Sequence, residues 1–306
     1  MPYKPYMHVE RFDTEETEGL LDNDHVVVTA KIDGTNSCIW WEDGQICTGS
    51  RKRKLSLSDD NAKFCSWVNS DNIEATKLRE YCEANPNLIL YGEWLGYNKF
   101  IGHIKQYDPD AKGHFFIFDV FDIDTLQYLP DETWRQNLAD FWPNFKTVDI
   151  LAILDHPTLD DIAEIANKNK FLLNNSEITG EGVVCKAPNW RNCYGRQQYG
   201  KLVLDEYKQN KKRKKTLQTG QVEPDIIEEY ITDAELSKTI AKVCTLCNTD
   251  KFDKKSSKMI GMAISLTWKD LLIECPNFVK KFKLPTIDFA LLKSLAQEKV
   301  RKYLNL

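Results

Sequence analysis

The chain has 306 residues, of which 42% are hydrophobic and 28% are charged, and its formal net charge is −5. These values are ordinary for a soluble globular protein of one large or two smaller domains. No stretch approaches the roughly 20 apolar residues of a membrane span and the first residues form no signal-peptide pattern, so we expect a cytoplasmic protein, in the host cytoplasm if the source is a virus. Nine cysteines, an odd number, indicate reduced thiols and not a disulfide framework.

Charge is distributed unevenly along the chain. Residues 1–185 carry 17 basic and 32 acidic side chains, whereas residues 186–215 carry ten basic and two acidic ones. A local positive field matters more than the total charge for binding a polyphosphate or a nucleic acid. Lys211, Lys212 and Arg213 are therefore candidates for nucleic acid binding, the alternative being a solvated linker or a localisation-like run.

Strand patterns dominate the first two thirds of the chain. An apolar run at residues 25–32 predicts a strand with Lys31 near its end, and residues 36–50 predict a hairpin that turns at Asp43-Gly44. Further strands are predicted near residues 87–94, 114–121, 183–186 and 201–207, and helices near residues 61–85, 131–141 and 158–168. This mixture predicts an α+β core with antiparallel sheets.

A second domain is predicted at the carboxyl end. We interpret the basic, polar residues 209–224 as a linker between residues 1–208 and a small all-helical domain, residues 225–306. Thr232 and Glu235 have the spacing of a capping box at the start of a helix.

Two smaller patterns belong to this second domain. Cys244 and Cys247 are half of a zinc site, but they continue an apolar helical face, so we favour a buried face over a metal. Thr286 is predicted to cap the last helix. The inward face of that helix would carry Leu291, Leu292, Leu295 and Tyr303.

An ordered series of motifs carries the functional signal. The first, KIDGTN, places Lys31 three residues before Gly34, where a lysine can act as a nucleophile. Then follow GSR, YGEWLG, FFIFDVFD, EGVVCK and KLVLDEYK, which begin at residues 49, 91, 115, 181 and 201. The set resembles the covalent nucleotidyltransferases, the superfamily of polynucleotide ligases and mRNA capping enzymes. Asn36 and the helical second domain resemble its RNA ligase 2-like branch, which includes a bacteriophage RNA ligase and the RNA-editing ligases.

This resemblance implies a nucleotidyltransferase (ATP-grasp-like ligase) core and a monomeric RNA ligase that depends on ATP and Mg²⁺, with Mn²⁺ as an alternative metal. It would join 5′-phosphate and 3′-hydroxyl RNA ends, at nicks in duplex or bridged RNA. Lys31 would take AMP from ATP, AMP would pass to the RNA 5′-phosphate, and the 3′-hydroxyl would displace it. Keeping a lysine neutral at pH 7 costs about 4.6 kcal/mol unless its pKa is lowered. Lys186, Lys208 and the metal would supply the cations that lower it.

The resemblance also implies roles for the acidic and amide side chains. Asn36 would organise the phosphate or ribose side of the pocket, Glu93 would contact the ribose hydroxyls, and Glu181 would bind the metal. Asp33, on the same side of the strand as Lys31, could pair with the lysine or hold a metal-bound water.

Basic and aromatic side chains complete the expected site. Arg51 would bind a phosphate of ATP or of the RNA 5′ end. Its neighbours Lys52, Arg53 and Lys54 would extend this basic surface for RNA, the alternative for these three being an exposed basic loop. Phe118 matches the adenine-stacking aromatic of the family, the alternative being that all four phenylalanines of its motif are core. The expected ATP-binding set is Lys31, Asp33, Asn36, Arg51, Glu93, Phe118, Glu181, Lys186 and Lys208.

Two positions depart from the family pattern. Ala30 stands where many relatives have a glutamate that reads the adenine amino group, and Glu206 stands where a lysine usually precedes Lys208. Either Lys201 substitutes for that lysine or one phosphate contact is missing. The alternatives left open are a DNA nick ligase, a GTP-dependent capping guanylyltransferase and a catalytically weak RNA-binding protein.

Overall fold

The structure is a computed structural model, and it describes residues 3–12, 14–96, 107–175, 177–204, 222–274 and 287–306. The chain divides into two compact units, Met1–Leu204 and Asp205–Leu306. Most of the predicted linker lies outside the described residues, so its bounds stay a prediction. Among the described helices, none is long and apolar enough to cross a membrane.

Two β-sheets form the framework of the first unit. Its described strands are β1 (Glu10–Arg11), β2 (Val26–Lys31), β3 (Thr35–Glu42), β4 (Gln45–Ser50), β5 (Lys54–Leu55), β6 (Leu88–Leu95), β7 (His114–Asp122), β8 (Gln127–Tyr128), β9 (Ile150–Leu154), β10 (Gly182–Lys186) and β11 (Gly200–Val203). The first sheet has the order β1-β11-β10-β2-β9 and the second the order β5-β4-β3-β6-β7-β8. Neighbouring strands are antiparallel except for β1 and β11, which confirms the predicted antiparallel sheets.

Helices pack against both sheets of this unit. The described ones are α1 (Phe64–Val68), α2 (Ile73–Ala84), α3 (Asp131–Phe141) and α4 (Leu159–Lys168), with 3-10 turns at Glu15–Thr17, Leu20–Asp22 and Pro109–Ala111. Aromatic residues of α1, α2 and α3 share one buried cluster with β6 and β7 of the second sheet. Helix α4 contacts β10 and β11 of the first sheet. Thr158 caps α4 by accepting the N–H of Asp161, because a hydroxyl there satisfies an otherwise unpaired donor.

Local sequence explains the strands that carry the first motif. Asp43 and Gly44 have φ values of 52° and 75°, the left-handed conformations that a two-residue turn between β3 and β4 requires. Strand β2 is buried from Val26 to Ala30 and ends at the partly exposed Lys31, as predicted.

The register of β2 and β10 determines which side chains share a face. Lys31 lies opposite Gly182, and Val27 lies opposite Lys186. Because side chains alternate between the two faces of a sheet, Lys31 and Lys186 project from the same face of the first sheet. The Lys186 amine reaches the Phe118 carbonyl of β7, so this face is directed toward the second sheet.

The second unit is helical in its described residues: α5 (Glu223–Tyr230), α6 (Asp233–Leu246), α7 (Ser257–Glu274) and α8 (Phe289–Leu304). The Thr232 hydroxyl accepts the N–H of Glu235 at 3.2 Å and caps α6, as the sequence predicts. Cys244 is buried, and the Cys247 sulfur lies 3.7 Å from the Met262 sulfur.

The prediction for the last helix was partly wrong. Asp288 caps α8 by accepting the N–H groups of Ala290 and Leu291, whereas Thr286 lies outside the described residues. Tyr303, which was predicted to face inward, is 36% exposed. The buried face carries Leu292, Ala296, Val300 and Leu304.

Candidate active site

The amine of Lys31 forms an ion pair with Glu181. The distance from Lys31 Nζ to Glu181 Oε2 is 2.6 Å, and the two side chains are 25% and 10% exposed. Glu181 directly precedes β10, where a Cβ at Gly182 would lie 2.0 Å from the Leu202 carbonyl oxygen. Only glycine permits this close approach of β10 to β11, which places Glu181 beside Lys31.

The loop after Lys31 is held against β6. The N–H of Gly34 donates to Glu93 Oε1 at 3.0 Å, and Glu93 lies opposite Asn36 in the pairing of β3 and β6. A Cβ at Gly34 would lie 2.8 Å from both the Trp94 carbonyl oxygen and the Leu95 side chain. The loop can therefore approach β6 only because residue 34 is glycine.

Glu93 interacts electrostatically with Lys31 and with two other carboxylates. Burial raises the pKa of Glu93 to about 8, the positive charge of Lys31 opposes that rise, and the charges of Asp33 and Glu181 add to it. The N–H of Asp33 donates to the buried Tyr107 hydroxyl at 2.7 Å, which fixes the loop from the other side. The structure thus brings the predicted Lys31, Asp33, Glu93 and Glu181 into one electrostatically coupled group.

This group is not a complete metal site by itself. Over the described part of the chain, no group of three or more His, Cys, Asp or Glu side chains is placed to hold a metal ion. Mg²⁺ usually binds proteins through one or two carboxylates and fills its other positions with water and substrate phosphates. The arrangement therefore fits a cation that arrives with a phosphate ligand.

Lys186 lies in a different environment, an internal polar network. Its amine is 2.6 Å from the Phe118 carbonyl oxygen, 3.2 Å from Asp131 and 3.6 Å from Asp119, and the residue is 2% exposed. Burial raises the pKa of Asp119 to about 7, although the charge of Lys186 opposes this rise. The Tyr6 hydroxyl donates to Asp119 at 2.8 Å.

The network changes the expectation for Lys186. The sequence predicted that its charge would act next to Lys31, but the structure surrounds its amine with two carboxylates and a carbonyl oxygen. Its charge is therefore compensated where it lies, and Lys31 pairs with Glu181. Asp131 is the first residue of α3, and this position brings its carboxylate next to the Lys186 amine. The predicted role of Lys186 in ATP binding and catalysis stays a prediction.

Phe118 differs from the other phenylalanines of its motif. Phe115, Phe116 and Phe121 are at most 4% exposed, whereas Phe118 is only partly buried. Its ring lies 4.9 Å from the Tyr6 ring in an edge-on arrangement. The core alternative therefore holds for three of the four rings, and stacking of adenine on Phe118 stays a prediction.

Arg51 follows the end of β4 and contacts the amino-terminal segment. Its Nη2 lies 2.5 Å from Nδ1 of His8. Lys52 is exposed, while the next two basic residues pair with carboxylates, Arg53 with Asp59 and Lys54 with Glu42. The basic surface next to Arg51 is thus smaller than the sequence suggests. The predicted Lys208, Lys211, Lys212 and Arg213, and the departure at Glu206, lie outside the described residues.

Sequence reasoning missed Tyr6, His8, Tyr107 and Asp131. Each reaches the site from a segment outside the motifs, and each contact joins residues more than 40 positions apart. Only the aromatic, proline-containing start PYKPYMH hinted that this end of the chain is ordered, and it did not indicate where the end packs.

Comparisons with known proteins concern the part of the chain that carries this site. The RNA ligase family model matches residues 24–203, and no curated protein matches the chain. A mutant of Naegleria gruberi RNA ligase with ATP and Mn has a TM-score of 0.52 and 24% identity, over 69% of this chain and 58% of that one. An apo mutant of the same ligase has a TM-score of 0.51 and 25% identity, over 67% and 56%.

The extent of these matches determines what they show. The chain spans less than three fifths of the length of those solved ligases, so the structural likeness concerns a shared part. The family model covers more than half of this chain and all of the residues that surround Lys31. The chain therefore belongs to the RNA ligase family.

Proposed function

We propose that this protein is an ATP-dependent RNA ligase that joins 5′-phosphate and 3′-hydroxyl RNA ends through a lysyl-AMP intermediate. The observation that carries the proposal is the position of Lys31, at the end of β2 with its amine 2.6 Å from Glu181 and inside the family match. The Naegleria ligase structures with ATP and Mn support the choice of nucleotide and of a divalent metal.

Glu181 keeps Lys31 inactive in the free protein. A carboxylate 2.6 Å away stabilises the ammonium form of the lysine, which has no lone pair for attack. Lys31 becomes a nucleophile when this pair opens and the proton leaves. The neutral amine then attacks the α-phosphorus of ATP, the N–P bond forms, and the bond to pyrophosphate breaks.

A divalent cation fits beside this pair. Glu181 would hold it together with phosphate oxygens and water, and Asp33 is placed to bind one of its waters. When bound, such a cation supplies positive charge that neutralises the phosphates during the transfer. Opening of the Lys31–Glu181 pair and binding of the nucleotide are therefore linked through one carboxylate.

The remaining side chains would bind and orient the nucleotide. Glu93 would contact the ribose hydroxyls, and its raised pKa supports a neutral carboxyl that can donate as well as accept a hydrogen bond. The Arg51 guanidinium would bind phosphate in a bidentate manner. Asn36, opposite Glu93 on β3, faces the same side of the pocket.

We also propose how the rest of the chain takes part. Residues 1–208 would form the adenylyltransferase domain, residues 209–224 a basic linker, and residues 225–306 a helical RNA-binding domain. The basic run at residues 211–213 supports an RNA path along the linker. The protein would act as a cytoplasmic monomer.

A sealing assay tests the proposal. A 5′-phosphate nick in a duplex is incubated with the protein, ATP and Mg²⁺ or Mn²⁺, and the joined strand is measured on a gel for an RNA 3′-hydroxyl strand, its DNA counterpart and unannealed RNA. We expect preferential joining of the nicked RNA. Equal joining of an all-DNA nick would indicate a DNA ligase, and absence of any joining would leave an RNA-binding protein.

A further inference from the structure

The amino-terminal segment, which precedes the family match, packs along the candidate site. The match begins at residue 24, whereas residues 3–11 hold their place through bonds to both sheets. The N–H of Glu10 donates to the Tyr199 carbonyl oxygen at 3.0 Å, and β1 then pairs with β11. On the other side, the Tyr91 hydroxyl donates to the Lys4 carbonyl oxygen at 2.9 Å. The segment between these anchors carries His8.

His8 faces Arg51 in a defined orientation. The His8 carbonyl oxygen accepts a hydrogen bond from Gln198 at 2.6 Å, and its Nδ1 lies 2.5 Å from Arg51 Nη2. A guanidinium has donors only, so Nδ1 is the acceptor and the ring proton is on Nε2. Nε2 lies 3.9 Å from a carboxylate oxygen of Glu10. His8 is thus a neutral ring that receives one of the five N–H groups of Arg51.

The same segment also fixes the backbone from which Arg51 projects. The Tyr3 hydroxyl donates to the carbonyl oxygen of Ser50, the last residue of β4, and the Tyr3 ring packs against Gly49. An arginine side chain loses rotamer freedom when it binds an anion. A fixed acceptor orders the guanidinium before the anion binds, so less of this freedom is lost on binding. A guanidinium carries five N–H donors, and the contact with His8 uses one of them.

We propose that His8 is a positioning residue, which holds the Arg51 guanidinium in the orientation that binds a phosphate of ATP or of the RNA 5′ end. This inference rests on the proposed function. The His8 side chain is 33% exposed and lies outside the buried clusters of this unit, so its main effect is on Arg51 and not on folding.

A double-mutant cycle tests the role of His8. The variants are His8→Leu, Arg51→Ala and both together, and the readouts are the single-turnover rate of AMP transfer to the protein and the rate of sealing a pre-adenylylated nick. We expect His8→Leu to slow one of the two steps about tenfold, the effect of losing one well-placed hydrogen bond. In the Arg51→Ala background the same change should have no further effect, because His8 acts through Arg51.

Two further variants separate positioning from folding. His8→Asn keeps an acceptor near the position of Nδ1 and should recover most of the rate, with an unchanged unfolding midpoint in all His8 variants. His156→Leu, a change at an exposed turn, serves as the matched histidine control and should behave as wild type. Wild-type rates for His8→Leu in both steps would overturn the inference. So would an equal loss of rate when His8→Leu is added to wild type and to Arg51→Ala, because His8 would then act independently of Arg51. A wild-type protein that neither takes up AMP nor seals would overturn the proposed function itself.

Discussion

Lys31 and Lys186 project from the same face of one sheet, yet they lie in opposite environments. The Lys31 side chain is 25% exposed and pairs with Glu181, whereas the Lys186 side chain is 3% exposed and contacts Asp119, Asp131 and the Phe118 carbonyl oxygen. A partly exposed ion pair contributes little to stability and can exchange partners, while breaking a buried pair leaves an uncompensated charge. The open pair is therefore suited to chemistry and the buried one to holding the sheets together.

The buried network explains how the two sheets keep their spacing near the site. Lys186 comes from β10 of the first sheet, Asp119 from β7 of the second sheet, and Asp131 begins α3. Tyr6 adds the amino-terminal segment to the same network. Four segments thus join one polar network around the Lys186 amine, and a change there should affect folding before it affects any single step of catalysis.

The largest expected effect is on activity, at Lys31. Lys31→Ala should remove AMP transfer and sealing to the level of a reaction without protein, because the alanine side chain supplies no nucleophilic amine. Its free energy of unfolding should change by less than about 1 kcal/mol, since the lost pair is partly exposed. Lys31→Arg is the control that keeps the positive charge toward Glu181 but supplies no nucleophile. A sealing gel and urea unfolding of both variants measure these effects, and sealing by either would remove Lys31 from the mechanism.

The second effect is on stability, at Lys186. Lys186→Met removes the cation beside the buried Asp119, while Asp131 keeps its contact with Arg135, and should reduce the free energy of unfolding by about 3–5 kcal/mol. The matched control is Lys168→Met, whose partner Glu164 is exposed, and it should change stability by less than about 0.5 kcal/mol. Urea unfolding of both variants makes the comparison. If Lys186→Met is as stable as the control, the contrast between the two lysines is wrong.

The third effect is a pH dependence at Glu93. Burial raises its pKa from 4.5 to about 8, so between these values the folded protein keeps a proton that the unfolded chain has lost. Stability must therefore fall as the pH rises through this window. Glu93→Gln removes this contribution, and we expect wild type to lose on the order of 2 kcal/mol more than the variant between pH 5 and pH 8. Asp119, whose pKa is also raised, is present in both proteins and cancels.

Urea unfolding at the two pH values measures this difference. Parallel losses in wild type and Glu93→Gln would show that the Glu93 carboxyl is already ionised in the folded protein at low pH. The same result would distinguish Glu93, near Lys31, from Asp119, near Lys186. Of these two carboxyl groups, only Asp119 would then have a raised pKa in the folded protein.

The smallest effect concerns the aromatic ring at the edge of the buried network. Phe118→Leu should raise the KM for ATP about fivefold, because stacking on a base is worth about 1 kcal/mol, and should leave the unfolding midpoint nearly unchanged. Phe118→Tyr keeps the ring face and should bind ATP as wild type does. A loss of stability without any change in KM would assign Phe118 to the core with its three neighbours.

Local patterns account for what could be predicted from the sequence. The Asp43-Gly44 turn, the strand end at Lys31 and the Thr232 cap each depend on neighbouring residues, and each is present in the structure. The pair of Lys31 with Glu181 was not predicted, because it depends on the close approach at Gly182 that brings Glu181 alongside. The role of Asp33 stays a prediction.

Long-range contacts account for what could not be predicted. Lys186 and Asp131 are 55 positions apart, and His8 and Arg51 are 43 positions apart, so no periodicity connects them. The face of the last helix was only partly predicted, because packing buries Ala296, Val300 and Leu304 beside the predicted Leu292 and leaves Tyr303 exposed. These errors arise where tertiary packing and not local propensity selects the partner.

Mapping the covalent AMP adduct tests the central claim most directly. The protein is incubated with ATP and Mn²⁺, digested, and analysed by peptide mass spectrometry before and after addition of a nicked duplex with an RNA 5′-phosphate. The account predicts AMP on Lys31 alone, and its loss as AMP passes to the RNA. AMP on another lysine, or no adduct on a protein that still seals RNA, would contradict it.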